Sequence, residues 1–261
     1  MIDGVLLGVI QGIFEWLPVS SEGVLVAVMS VVSDISVEDS IRYAFWLHLG
    51  TSISAAIVFR HRIRLLVSQT WQTMPVIRSV EVQFLVIATI VSFCVGGVIL
   101  LTVDILLREI GLVVMTVIGV CMILTGSLQL KRRAGAERSV NHLTISDALL
   151  VGVAQGIAVV PGFSRSGFTV ATLVWRGYGF KDCLELSILM SIPASLGASI
   201  VGAITSTQSF ALPMLVAMVV ATVVGLLMIR GLLAFARRVN LGVLVMLSGL
   251  LMVVAGMLLS N

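Results

Sequence analysis

One stretch of this chain occurs twice. Residues 3–23, DGVLLGVIQGIFEWLPVSSEG, align without a gap on residues 147–167, DALLVGVAQGIAVVPGFSRSG, 144 positions further on, and nine of the 21 positions are identical. Both copies place a proline and a serine cluster in the middle of an apolar run. A proline lacks the backbone donor a helix needs and disfavours helical geometry at the residue before it. Each copy therefore predicts a helix that stops within the apolar run and restarts beyond a short polar break. Residues 3–17 would span about 22 Å at 1.5 Å per residue, short of the roughly 30 Å of a bilayer's hydrocarbon. Pro18, Ser20, Ser21, Glu22 and Gly23 then interrupt the run, and apolar sequence resumes to residue 33. The second copy runs over 147–160, breaks at Pro161-Gly162 and Ser164-Arg165-Ser166-Gly167, and continues into apolar sequence. Both read as re-entrant helix hairpins, over 3–33 and 147–176.

The rest of the chain supplies the membrane. With 59% hydrophobic residues, 11% charged residues and a mean hydropathy of +1.15, it carries more apolar side chain than a soluble core of this length could bury. Six further stretches, 41–59, 82–104, 110–130, 184–204, 212–230 and 240–259, are long and apolar enough to cross as helices. The expected fold is an all-α polytopic membrane protein of one domain, 1–261, with six transmembrane helices and two re-entrant hairpins. This topology puts the segments 60–81, 131–146, 176–183 and 230–239, read as loops, on one side, and they hold 13 of the 16 Lys and Arg residues. Such asymmetry follows the positive-inside tendency and places both termini outside. Three crossings per half make 1–130 and 131–261 inverted repeats, whose hairpins enter from opposite faces and bring their tips together near the midplane.

Several features are read as packing. Gly8 and Gly12, like Gly152 and Gly156, are small-xxx-small pairs that suit close helix contact. Gly242, Gly249 and Gly256 recur every seventh residue and permit another close contact, within one chain or between two copies in a homodimer. Cys94, Cys121 and Cys183 show no CxxC spacing and are read as small packing residues. The N-terminus lacks a basic n-region, and its apolar run contains Gln11 and Glu15, so a cleavable signal peptide is not expected. No nucleic-acid partner is expected, only membrane lipids and a lipid substrate.

The breaks carry the chemistry. A helix restarting after Ser20 or Ser164 points unpaired N–H groups and a positive dipole end into the break. A serine can cap that end and an anion can occupy it, which suggests a phosphate or diphosphate site. The Arg165 guanidinium offers a fork matched to phosphate oxygens. It is costly at this depth and needs a partner, so pairing with Glu15 or Glu22 is its structural alternative. Gln11 and Glu15 stand one turn apart on one helix face; as an oxygen-rich pair they suit Mg²⁺ or Ca²⁺ bridging phosphate oxygens. A salt bridge to Arg165 is the other use of Glu15. His48 lies in Trp46-Leu47-His48-Leu49-Gly50 and is expected to pack, with contact to the site as its alternative. His61 and His142, among basic residues, are expected to be solvated.

The segments QGIFEWLPVSSEG and PGFSRSGFT resemble the two signature motifs of the undecaprenyl pyrophosphate phosphatase family, and the resemblance covers essentially the whole chain. Those integral membrane enzymes remove the terminal phosphate from a C55 polyprenyl diphosphate carrier. The resemblance implies that Gln11 and Glu15 match an (E/Q)xxxE pair associated with metal use and catalysis. It implies that Ser21 matches a proposed nucleophile, and that Ser164, Arg165 and Thr169 match phosphate-binding residues. The first motif departs from the family's common SSTGH. Here it reads Ser20-Ser21-Glu22-Gly23-Val24, with glutamate for threonine and valine for a histidine implicated in proton transfer. Either Glu22 or His48 substitutes, or the hydrolysis is altered or lost.

The expectation is a phosphatase of the cell membrane, opening to the outer face. Glu15, Ser21, Glu22 and Arg165 would be catalytic; Ser20, Ser164, Arg165, Ser166 and Thr169 would hold phosphate; Gln11 and Glu15 would hold the divalent cation. The main alternative is a transporter or flippase of a phosphorylated prenyl lipid, since broken helices in inverted repeats are a transporter architecture. A non-catalytic membrane partner with the same fold is the third.

Overall fold

The helix breaks fall where the prolines and serines put them. In the computed structural model, which describes residues 2–18, 20–32, 37–72, 79–103, 138–160, 163–205 and 212–235 and isolated positions at 120, 123, 127 and between 243 and 257, the first copy forms α1 (Ile2–Phe14) and α2 (Ser21–Val32). Next come α3 (Val37–Val58), α4 (Arg60–Gln72) and α5 (Val80–Val103). The second copy forms α6 (Ile145–Ile157) and α7 (Arg165–Trp175), followed by α8 (Phe180–Thr205) and α9 (Leu212–Phe235). Among the described residues there is no strand, only an isolated bridge between Arg138 and Tyr178.

The half-helices expected over 3–17 and 147–160 end sooner, at Phe14 and Ile157. Each terminus lies four residues before a proline, Pro18 and Pro161. The carbonyl that would accept from that missing N–H is the last helical one, and the ring crowds it. The restart follows the serine instead. Gly23 N donates to Ser20 Oγ at 3.1 Å, and Gly167 N donates to Ser164 Oγ at 3.1 Å. The two caps stand 144 positions apart, as the repeat does, while the prolines stand 143 apart. Each end of the break is thus set by its own residue.

Among the described residues, three helices are long and apolar enough to cross a membrane: Val80–Leu101, Phe180–Ile204 and Leu212–Ala234. They support three of the six expected crossings. The segment expected over 41–59 is helical as part of α3, but α3 is not among these three; Arg42, His48 and a run of hydroxyl residues lower its hydropathy. The segment 110–130, apart from three isolated positions, and most of 240–259 lie outside the described residues. Residues 60–72, read as part of a loop, form α4. Ile63, Leu66 and Val67 recur among its charges at helical spacing, a pattern that the density of arginines obscured.

The chain divides into two compact units. One comprises residues 1–78 and 188–234, the other 79–187 and 235–261. In the first, Leu7 of α1 packs with Leu25 and Met29 of α2, Ala44 and Leu47 of α3, and Ala217 of α9. The glycine face of α1 lies directly on α9: a Cβ at Gly8 would stand 2.4 Å from Ala217 O and 2.7 Å from Val220 Cβ, and one at Gly12 would stand 2.7 Å from Val224 Cβ. The second unit repeats this against α5. A Cβ at Gly152 would meet Ala88 O at 2.7 Å and Val91 Cβ at 2.8 Å, and one at Gly156 would meet Val95 Cβ at 2.6 Å. Ala88, Val91 and Val95 carry the same spacing as Ala217, Val220 and Val224. The small-xxx-small pairs therefore let each half-helix touch the backbone of a longer one.

In the second unit a buried carboxylate ties the start of α6 to the end of α7. Asp147 accepts from Thr144 N at 2.9 Å, Thr144 Oγ1 at 2.6 Å and Tyr178 Oη at 2.7 Å, and pairs with Arg176 Nε and, at 3.5 Å, with Arg138 Nη2. Thr144 returns the contact by accepting from Asp147 N, completing a capping box. Gly177, at φ 94°, supplies the left-handed turn after α7 that brings Tyr178 back to the cluster. Arg138 lies over the Tyr178 ring, 4.6 Å from its centroid. Burial would raise the Asp147 carboxyl, but hydrogen bonds from Thr144, Tyr178 and Arg176 outweigh it and hold it at about 2, below the ordinary 3.8. Burial, and then the Asp147 charge, push the Tyr178 hydroxyl up. The sequence signal was present: Asp is the first identical position of the repeat and stands three after a threonine.

Two expectations follow. Gly8→Ala and Gly152→Ala should each destabilise the protein in detergent by about 1–3 kcal/mol through overpacking. Gly97→Ala, where a Cβ meets nothing within 4 Å, should not; equal thermal midpoints for all three variants would contradict the close packing. The depressed carboxyl contributes stability that is complete above about pH 4 and is lost as pH falls toward 2. Asp147→Asn should cost about 2 kcal/mol at neutral pH and remove that acid limb from the melting temperature against pH.

Candidate functional site

The first break gathers the polar residues of the first unit. Glu15 follows the last residue of α1 and keeps a helical bond, its N–H donating to Gln11 O at 3.1 Å. Its side chain therefore lies one turn beyond Gln11, whose Nε2 donates to Glu15 Oε2 at 3.0 Å. Ser21, the first residue of α2, donates from Oγ to the same oxygen at 2.7 Å. Gln11, Glu15, Ser20 and Ser21 are all buried. Ser20 is committed as the cap of α2, so of the two serines it is Ser21 whose hydroxyl faces a carboxylate.

α3 delivers the remaining member. His48, read as a packing residue, lies with Nε2 3.5 Å from Glu15 Oε2 and 3.5 Å from Glu22 Oε1. Its Nδ1 stands 2.8 Å from Ala44 O, one turn back on α3. The structure places the ring against both carboxylates. Glu22, in the first turn of α2, has the helix dipole in its favour. The buried atoms Gln11 Oε1 and Trp16 Nε1 have no hydrogen-bond partner among the described residues. Among those residues no group of three or more His, Cys, Asp or Glu is spaced to hold a metal ion.

The second break has a different character. Ser164 caps α7, its Oγ also 3.3 Å from Ser166 Oγ. Arg165, the first residue of α7, is half-buried. Thr169, one turn further on, is wholly buried; its Oγ1 lies 2.6 Å from Ser187 Oγ on α8 and 2.9 Å from Arg165 O. Its hydroxyl thus joins α7 to α8. Gln155, the counterpart of Gln11, donates from Nε2 to Ser92 Oγ on α5 at 3.1 Å. Position 159, the counterpart of Glu15, is valine. One copy of the repeat carries carboxylates and a polarised hydroxyl, and the other carries an arginine flanked by serines. Neither the Gln155–Ser92 nor the Thr169–Ser187 pair was legible in the sequence, because both are made across long separations.

A hydroxyl at a helix N-terminus, donating to a buried carboxylate that a glutamine also holds, is a chemically competent pair: the carboxylate can accept the hydroxyl proton as the oxygen attacks an electrophile. Residues 4–256 match the family model described as Bacitracin resistance protein BacA. An undecaprenyl-diphosphatase of Haloarcula marismortui is 35% identical over 263 residues, covering 97% of this chain and 96% of that protein. Proteins of the same name from Methanococcoides burtonii and Saccharolobus solfataricus are also 35% identical, covering 91% and 98% of this chain and 91% and 95% of theirs. With the family model matching nearly end to end and the repeat motifs inside the matched span, the chain belongs to the BacA family.

Proposed function

We propose that this membrane protein is a phosphatase that hydrolyses a long-chain polyprenyl diphosphate of the undecaprenyl type to the monophosphate and inorganic phosphate. The observation that carries the reading is the buried Ser21–Glu15 contact at 2.7 Å, held from the other side by Gln11. Ser21 Oγ attacks the terminal phosphorus while its proton passes to Glu15. The bond from that phosphorus to the bridging oxygen breaks, and the lipid monophosphate leaves. Water then attacks the phosphoserine, Glu15 returns the proton to Ser21 Oγ, and inorganic phosphate departs with the oxygen of water. Glu22, across the break, adds a second carboxylate to the same surroundings.

Phosphate binding falls to the second copy in this reading. Arg165 and Ser166, at the start of α7, offer donors and positive charge to phosphate oxygens, and Ser164 presents the helix end by capping it. Such preorganised donors stabilise the charge that spreads over the transferring phosphoryl group. A divalent cation, Mg²⁺ or Ca²⁺, fits the first break: Gln11 Oε1 is a buried acceptor with no partner among the described residues, and it stands beside Glu15. Gln11 and Glu15 would hold it with water and phosphate oxygens completing the shell, as hard cations prefer; bound there, it would neutralise diphosphate charge.

The proposed setting is the cell membrane. Six crossings and two re-entrant hairpins, in inverted halves 1–130 and 131–261, keep the basic segments on one side. The site then opens to the outer face, and both termini lie outside. Two 13-residue half-helices, each about 20 Å long and too short to cross, support the hairpins. The lipid tail lies in the hydrocarbon. Dimerisation through the Gly242, Gly249 and Gly256 face is part of the same proposal. The replacement of a histidine by Val24 favours a second reading, a flippase of a phosphorylated prenyl lipid without hydrolysis.

Purified protein in detergent, given a long-chain prenyl diphosphate and Mg²⁺ or Ca²⁺, should release phosphate. Ser21→Ala and Arg165→Ala should each slow release by at least about 100-fold. A folded wild-type protein that releases none overturns the phosphatase reading. Transbilayer movement of a prenyl phosphate in vesicles, without release, would establish the flippase in its place.

A further inference from the structure

Both ring nitrogens of His48 are engaged by the protein. Nδ1 lies 2.8 Å from Ala44 O; a carbonyl only accepts, so Nδ1 carries a hydrogen. Nε2 faces two carboxylate oxygens at 3.5 Å each. The two carboxylates stand on opposite sides of the break, Glu15 just after α1 and Glu22 in the first turn of α2. One ring, held by its own helix, therefore spans the elbow of the hairpin. Its lower nitrogen fixes its orientation, as hydrogen bonds on one imidazole nitrogen fix what the other presents. Phe45 meets the ring edge-on with centroids 6.3 Å apart.

Resting on the phosphatase reading above, we propose that His48 is a positioning residue for the Glu15–Ser21 pair. Its Nε2 holds the Glu15 carboxylate in the orientation that accepts from Ser21 and ties it to Glu22 across the break. It supplies from α3 a polar fixation that Val24, on α2, does not. His48 acts through Glu15; with both nitrogens occupied by protein atoms it does not reach the reacting phosphorus. A glutamine amide reaches about as far as Nε2, whereas an asparagine amide reaches only as far as Nδ1. The two substitutions therefore separate the two hydrogen bonds.

The experiment compares phosphate release from a long-chain prenyl diphosphate by wild type, His48→Gln, His48→Asn, Ser21→Ala and the double variant Ser21→Ala/His48→Asn, each checked for a cooperative melt. His48→Asn keeps a donor for Ala44 O and should fold, yet its kcat should fall by about 30-fold or more, with KM changed by less than about threefold. His48→Gln should recover at least about tenfold of that loss, since its amide restores the donor without an ionisable ring. In the Ser21→Ala background, His48→Asn should cost nothing further, because residues acting as one unit are not additive. Undiminished turnover in His48→Asn overturns the proposal. So does His48→Gln as slow as His48→Asn, which would make the ring a proton carrier, and so does a loss that multiplies in the double variant. No release from folded wild type is a different failure: it overturns the phosphatase reading, and this proposal goes with it.

Discussion

A helix that restarts within apolar sequence must satisfy its first N–H groups without water, and here a serine side chain does so at both restarts. Ser20 and Ser164 each accept from the backbone N–H three residues on, so neither new helix leaves that donor bare. Everything chemically notable in the first unit is arranged around this cap. Because Ser20 takes the capping position, Ser21 becomes the first helical residue and its hydroxyl turns toward Glu15. Glu15 is within reach because α1 ends four residues before Pro18. The break is therefore a constructed corner: proline sets one edge, serine the other, and the polar side chains between them have no apolar helix to lie along.

The two copies show how one local frame accepts two chemistries. Gln11 and Gln155 occupy equivalent positions, but Gln11 turns to Glu15 and Gln155 turns to Ser92 of a neighbouring helix. The difference traces to a single partner, since the residue four positions on is glutamate in one copy and Val159 in the other. Where a carboxylate is present the glutamine joins a site; where it is absent the glutamine joins the packing. The glycine faces did not diverge. Gly8 and Gly12 meet an Ala-Val-Val ridge on α9, and Gly152 and Gly156 meet the same ridge on α5, because a Cβ added at any of the four is sterically excluded.

Legibility in the sequence followed the range of the interaction. The breaks, the caps and the glycine pairs were readable because each depends on residues within a few positions, and proline, serine and glycine act locally. The half-helix ends were misplaced by three residues because the disturbance reaches back to the carbonyl four before the proline, further than the preceding residue alone. The helix over 60–72 was missed because its arginines resembled a loop, although Ile63, Leu66 and Val67 kept helical spacing. The Asp147 cluster was missed for another reason: its partners Arg138, Arg176 and Tyr178 are brought to it only by the packing of α6 and α7. In the sequence their basic members count as charge flanking the apolar runs. His48 belongs to the same class, since nothing within α3 indicates which side chains will face it.

The altered first motif is best understood as a redistribution of charge around Glu15. Valine at position 24 removes a polar group from the second turn of α2, and glutamate at position 22 adds an acidic one to the first. Two carboxylates flanking one break repel each other unless a donor stands between them, and repulsion at this burial would be much less screened than in water. His48 Nε2 stands 3.5 Å from each. On the proposal that His48 positions Glu15, the residues at 22 and 24 and the histidine on α3 form one set, with the ring between the two carboxylates and its other nitrogen 2.8 Å from Ala44 O. A site built this way keeps Ser21 and Glu15 in contact while drawing its support from a third helix. On the proposed reading, that arrangement lets the first motif depart from the pattern it resembles while keeping the pair on which hydrolysis would depend.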